Sequence, residues 1–161
     1  IGADVPVCLR AHEHRLWQMR GIGEILTPVD YPPAADFGLV LINPGISVST
    51  ADVFKAMLAD DIKGNEVNQN RDLSQQLTHD QMMAWLGQGN SLTKPAQQLH
   101  HDISNVLSAA AELKAFPGFI TAGMSGSGAT VFALFEQRHH AVTAAESLSP
   151  APYWHWAGGV F

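Results

Sequence analysis

Residues able to do chemistry concentrate in the stretch Gly123-Met124-Ser125-Gly126-Ser127-Gly128-Ala129-Thr130, where three glycines and two serines interrupt apolar, strand-like sequence. Glycine lets the main chain take positive φ and lets another group approach it closely, and serine adds hydroxyls beside uncovered amides. A run of N–H groups in such a turn suits an anion, phosphate first. The same composition suits a plain hairpin connection, so the stretch alone leaves both readings open. Two enzymatic motifs fail here. Gly123 and Gly128 have part of the Walker A spacing, but Ala129-Thr130 stands where Lys-Ser/Thr is required, so no ammonium reaches a phosphate. Two residues after Ser125 comes Ser127 rather than Gly, which breaks the nucleophile-elbow pattern.

Asp4 precedes the largely apolar Val5-Pro6-Val7-Cys8-Leu9. A carboxylate there either caps a local amide or does chemistry, and capping is the commoner outcome. Eight histidines invite a metal reading: His12 with His14, His100 near Asp102, and His139-His140. None forms a helix-borne pair with an acidic partner at zinc-enzyme spacing, so solvated surface histidines and no metal site are expected. Cys8 is the single cysteine, which excludes an internal disulfide and a thiolate-rich centre.

The 161 residues suffice for one ordinary domain with a continuous core, and 46% hydrophobic against 15% charged residues argues for a compact fold over disorder. A formal charge of −6, with no cluster of Lys and Arg, disfavours nucleic acid as a partner. No apolar run approaches the roughly 20 residues that span a bilayer, and no signal pattern is visible, so no membrane partner and a cytoplasmic location are the default. The chain opens on Ile1 rather than Met, and Gly2-Ala3-Asp4-Val5-Pro6 reads as sequence already under way. A portion of a longer protein is expected.

The elements that must position these residues follow in order. Leu16 to Asp30 alternates weakly around Gly21 and Gly23 and predicts an antiparallel hairpin, stopped by Tyr31-Pro32-Pro33. Phe37 to Ile42 suits a strand buried on both faces, ended by Asn43-Pro44-Gly45. Ser49 and Asp52 form a capping box for a helix whose stripe of Val53, Phe54, Met57 and Leu58 reads as core. Asp60 to Ser74 reads as a mobile connection. Thr78 and Gln81 cap a short helix carrying Met82, Met83, Trp85 and Leu86, closed by Gly87 and Gly89. The longest helix is predicted from Thr93 to Leu113, with Ala96, Leu99, Ile103, Val106, Leu107 and Ala110 on its stripe, and Phe116-Pro117-Gly118 ends it. Phe119 to Ala122 and Val131 to Phe135 are strands flanking the glycine loop, Arg138 to Leu148 an Ala-rich helix, and Tyr153 to Phe161 a last strand. From Leu39 the order βαββαβ predicts an α+β fold, a ferredoxin-like split βαβ sandwich with helices inserted in the first crossover.

Gly2-Ala3-Asp4-Val5-Pro6, Gly21-Ile22-Gly23-Glu24, Asn43-Pro44-Gly45-Ile46-Ser47-Val48-Ser49-Thr50 and Ser125-Gly126-Ser127-Gly128-Ala129, in this order, resemble the GHMP kinase superfamily. They are most similar to its branch acting on a cytidylylated methylerythritol. The resemblance covers essentially the whole chain. It implies residues 1–36 as a short remnant of the N-terminal domain, holding the catalytic-Asp segment and the hairpin, and residues 37–161 as the C-terminal domain. It implies ATP-dependent phosphorylation of the substrate's tertiary hydroxyl in the non-mevalonate isoprenoid pathway, with ATP and Mg²⁺ as cofactors and a cytidylylated small molecule as partner. Asp4 matches the catalytic aspartate that accepts or orients the hydroxyl proton. Thr50 and Phe54 match substrate-pocket positions, Phe54 stacking on the cytosine, and Ser125, Gly126, Ser127 and Gly128 match the third motif. The family's main phosphate-binding motif and its lysine lie N-terminal to these residues, so the missing N-terminal portion is an implied partner and the chain is expected to be inactive alone. Asn90-Ser91-Leu92 departs from the usual Asn-Asp-Leu, which puts local helix capping in question. Two rivals stand beside this reading: another superfamily kinase, of homoserine or mevalonate type, and a non-enzymatic ferredoxin-like ligand-binding module.

Overall fold

The computed structural model describes residues 4–13, 15–21, 23–29, 36–61, 78–150 and 152–160. The chain divides into two compact units, 1–34 with 66–85, and 35–65 with 86–161.

In the first unit, α1 (Val5–Cys8) precedes a 3₁₀ turn at Ala11–Glu13. The expected hairpin forms from β1 (Leu16–Arg20) and β2 (Ile25–Val29), paired antiparallel with Leu16 opposite Val29 and Arg20 opposite Ile25. The Tyr31-Pro32-Pro33 stop lies outside the described residues, as does the Asp60 to Ser74 connection beyond Asp61.

The second unit carries β3 (Gly38–Asn43), α2 (Thr50–Asp61), and, after α3 (His79–Leu86), which falls almost wholly in the first unit, α4 (Thr93–Leu99), α5 (His101–Glu112), β4 (Phe119–Met124), β5 (Val131–Phe135), α6 (Arg138–Glu146) and β6 (Trp154–Gly159). Its four-stranded sheet runs β4-β5-β3-β6, antiparallel throughout. That places the first and third strands of the βαββαβ series at the centre, which is the split βαβ arrangement the order predicts. Thr78 caps α3 as its sequence suggests: Gln81 N donates to Thr78 Oγ1 at 3.3 Å and Thr78 N to Gln81 Oε1 at 3.0 Å.

The core lies on one sheet face. Val40 and Ile42 of β3, Val131, Ala133 and Phe135 of β5, Ile103, Val106 and Ala110 of α5, and Ala141 and Ala144 of α6 are fully buried. Phe119 meets Phe135 edge-to-face, ring centroids 5.7 Å apart. Three expectations are corrected. β3 is not buried on both faces: Val40 and Ile42 are buried, while Leu39 and Leu41 are only partly covered, because helices pack on one side of the sheet. The long helix is broken at His100, whose extended backbone (φ −140°, ψ 101°) separates α4 from α5, and Gln97 Nε2 donates to Ser104 Oγ at 3.1 Å across the break. The redirection keeps Ala96 and Ile103 buried and turns Leu99 out, 45% exposed. In α2 only Val53 of the expected stripe is fully buried, because the helix packs on α4 along one edge; Phe54 and Leu58 are 45% and 60% exposed. No helix among the described residues is long and apolar enough to cross a membrane.

Candidate functional site

β4 and β5 pair up to Met124 and Val131, and the six residues between them form the glycine loop. Ser125 N donates to Thr130 O at 2.9 Å and Gly128 N to Ser125 O at 3.0 Å, so the loop closes on itself. Gly126 (φ +54°) and Gly128 (φ +90°) take conformations costly for other residues. A Cβ at Gly128 would also lie 3.0 Å from Met124 Sδ and 3.2 Å from Ile103 Cδ1, whereas one at Gly126 would meet nothing within 4 Å. Among the described residues the Gly126 and Ser127 amides donate to no acceptor. The loop thus presents unpaired N–H groups and serine hydroxyls, a set suited to phosphoryl oxygens.

Three elements of the same unit hold this loop. Asn43, ending β3, donates from Nδ2 to Thr130 Oγ1 at 2.8 Å and accepts Gly45 N on Oδ1 at 2.7 Å. At the start of α2, Ser49 Oγ accepts Asp52 N at 3.3 Å, and Thr50 Oγ1 lies 2.8 Å from Ser127 Oγ, the two hydroxyls hydrogen-bonded. Phe54 follows Thr50 by four residues, hence one turn along on the same helix face. Hydrogen bonding to Ser49 and then to Lys55, whose ammonium is 3.5 Å away, holds the Asp52 carboxyl below its usual range. From the turn before α4, Asn90 Nδ2 donates to Met124 O at 3.0 Å and Gly126 O at 2.7 Å, while its Oδ1 accepts Leu92 N at 2.9 Å. Asn90 itself therefore makes the local turn that the Ser91 departure put in question, and Ser91 is not needed for it.

Thr50, Phe54, Ser125, Gly126, Ser127 and Gly128 thus share one unit, with Thr50 and Ser127 in direct contact. Sequence reasoning missed Asn43 and Asn90 as supports. An Asn before a helical turn signals an Asx turn, but nothing local signals a partner 34 or 36 residues away.

Asp4 belongs to the first unit, at the head of α1, and is exposed. It makes no side-chain capping bond, which corrects the capping reading. Its backbone is helical (φ −80°, ψ −10°) rather than extended as a capping residue requires, and Pro6 in the first turn has no amide to offer. His12 Nδ1 lies 3.1 Å from Leu9 O, the His139 and His140 rings touch with centroids 4.1 Å apart and planes tilted by 54°, and His14 lies outside the described residues. Among the described residues no three His, Cys, Asp or Glu side chains converge on a metal position.

The family model of the GHMP kinases C terminal matches residues 71–153. The chain belongs to the GHMP kinases. A curated relative, the 4-diphosphocytidyl-2-C-methyl-D-erythritol kinase of Cereibacter sphaeroides, is 44% identical over 149 residues, which are 92% of this GHMP kinase chain and 50% of the relative. The chain thus spans about half the length of the curated relatives it matches. A crystal structure of 4-(cytidine 5'-diphospho)-2C-methyl-D-erythritol kinase superposes with TM-score 0.66 at 31% identity, covering 98% of this chain and 53% of the other. An L. major mevalonate kinase in complex with R-mevalonate shares the fold at 14% identity and TM-score 0.52, covering 89% and 48%.

Proposed function

We propose that these residues belong to an ATP-dependent kinase that phosphorylates the tertiary hydroxyl of 4-diphosphocytidyl-2-C-methyl-D-erythritol, acting in the cytoplasm in the non-mevalonate isoprenoid pathway. The activity is that of a protein of the relatives' full length, with residues 37–161 as its C-terminal domain. The observation that carries the reading is the 2.8 Å bond between Thr50 and Ser127. It sets an anion-binding loop against the helix whose outward Phe54 offers a face for a pyrimidine, in a chain 44% identical to a kinase of that name.

In this reading the Ser127 and Gly126 amides and the loop hydroxyls hold phosphoryl oxygens, Phe54 stacks on the cytosine and Thr50 hydrogen-bonds the substrate. The Asp4 carboxylate takes the hydroxyl proton as the alcohol oxygen bonds to the γ-phosphorus and the bond to the ADP oxygen breaks. ATP fits the loop's donors. Mg²⁺ is expected with ATP, but the described residues build no carboxylate cage for it, and no step is assigned to it.

The test is phosphoryl transfer by the full-length protein, followed by ³¹P NMR, with the cytidylylated polyol, mevalonate and homoserine as acceptors. A new phosphomonoester on the first alone supports the reading. Phosphorylation of mevalonate or homoserine instead selects a different member of the family, and ligand binding without transfer selects a non-enzymatic module. Asp4→Asn is expected to lower kcat about 10²- to 10⁴-fold with nucleotide binding retained; a wild-type rate removes Asp4 from the chemistry.

A further inference from the structure

We propose that Asn90 is a positioning residue that aims the Ser127 amide at a phosphoryl oxygen; the identity of that oxygen's owner rests on the kinase reading above. Both hydrogens of the Asn90 side-chain amide are committed to the glycine loop, on Met124 O at 3.0 Å and Gly126 O at 2.7 Å. Its Oδ1 is committed to Leu92 N at 2.9 Å, and its backbone O to Thr93 N at 3.0 Å. The side chain cannot turn without losing three hydrogen bonds at once, so the loop inherits the placement of the turn that starts α4.

The consequence follows from the planar peptide. In a trans peptide the C=O and the following N–H point in opposite directions. The Gly126–Ser127 peptide is trans, so drawing Gly126 O toward Asn90 turns the Ser127 N–H away from it. That N–H has no acceptor among the described residues, while the Ser127 hydroxyl is tied to Thr50. One asparagine thus fixes the direction of a donor whose own side chain touches the α2 helix. Gly126, at φ +54° with open space around it, permits the turn without supplying the force that holds it.

The direct probe is tripolyphosphate, titrated into the full-length ¹⁵N-labelled protein while the Ser127 amide proton is followed. In the wild type this resonance is expected to move downfield and saturate. Asn90→Asp keeps an acceptor for Leu92 N but sets carboxylate oxygen against two carbonyls, and it is expected to abolish the shift or weaken binding roughly tenfold to a hundredfold. In turnover the same variant lowers kcat by a comparable factor with KM for the cytidylylated substrate little changed, since stacking on Phe54 is untouched. Ser91→Ala, which removes a neighbour uninvolved in these bonds, leaves both readouts as in the wild type.

A Ser127 resonance that stays still in the wild type overturns the proposal without any variant. So does Asn90→Asp with the wild-type shift, or with wild-type kcat in an enzyme that phosphorylates the cytidylylated polyol. A wild type that shows the shift, loses it in Asn90→Asp and phosphorylates none of the three alcohols supports the aiming role and sinks the kinase reading alone.

Discussion

Phe54 leaves 45% of its surface in solvent, one turn along α2 from Thr50, while its neighbour Val53 is fully buried. An aromatic side chain held that way on a surface helix is a poor core residue and a good stacking platform. Phe54→Ala is therefore expected to raise KM for the cytidylylated substrate, or weaken its binding by calorimetry, by ~1–3 kcal/mol, with almost no change in Tm. Val53→Ala is expected to do the reverse, destabilising by roughly 2 kcal/mol and sparing affinity. Unchanged affinity together with a lowered Tm in Phe54→Ala would return that residue to the core. A second residue-scale prediction concerns acid. Asp52 has its carboxyl lowered by Ser49 and then Lys55, so the folded state favours the ionised form. That contribution is fully present above the unfolded value, near 3.8, and is lost as pH falls through the lowered folded value. Asp52→Asn should lower Tm slightly near neutrality, where the contribution is present, and converge on the wild type below about pH 4, so that the acid limb of its Tm-against-pH curve is flatter; parallel limbs would remove Asp52 as a contributor.

At the scale of elements, the break at His100 is the feature periodicity could not show. Ala96, Leu99, Ile103, Val106 and Ala110 fit one continuous helical stripe, but α4 packs on α2 and α5 on the sheet, two different partners that a straight helix does not serve, and the chain turns between Leu99 and Ile103. Once it turns, Leu99 leaves the stripe and Ile103 stays at zero exposure. Ile103→Ala is expected to cost ~2–5 kcal/mol in urea unfolding, through lost burial and the cavity left behind. Leu99→Ala is expected to stay within about 0.5 kcal/mol of the wild type, as surface substitutions do. Comparable losses at the two positions would mean an unbroken helix. The capping residues, by contrast, were readable because their partners are local: Ser49 bonds Asp52 three residues on, and Thr78 and Gln81 bond each other.

Across the whole molecule, the strand order and the sandwich were legible because each strand is bounded by turn residues and the crossover helices separate them. The glycine loop was legible as a candidate anion site for the same local reason. Its supports were not. Asn43 reaches Thr130 across 87 residues and Thr50 reaches Ser127 across 77, and a lone Asn or Thr reads identically whether its partner is adjacent or distant. Long-range pairing also ranks the parts of the structure by stability. β3 is hydrogen-bonded to β5 on one side and β6 on the other, and Val40 and Ile42 are fully enclosed. The β1–β2 hairpin is a two-stranded sheet of five paired positions whose one buried large apolar residue is Val29. A hairpin so built is marginal by itself. Amides of Val40 and Ile42 are accordingly expected to exchange with deuterium only through global opening, on the order of 5–15 kcal/mol, and the hairpin amides that face the partner strand, every second residue of β1 and β2, through local openings of about a few kcal/mol. Native-state hydrogen exchange under low denaturant reads both sets in one experiment. Protection of the hairpin amides equal to that of β3 would overturn this ranking, because it would require burial around β1 and β2 that the hairpin's exposed Ile25 and Arg20 do not have.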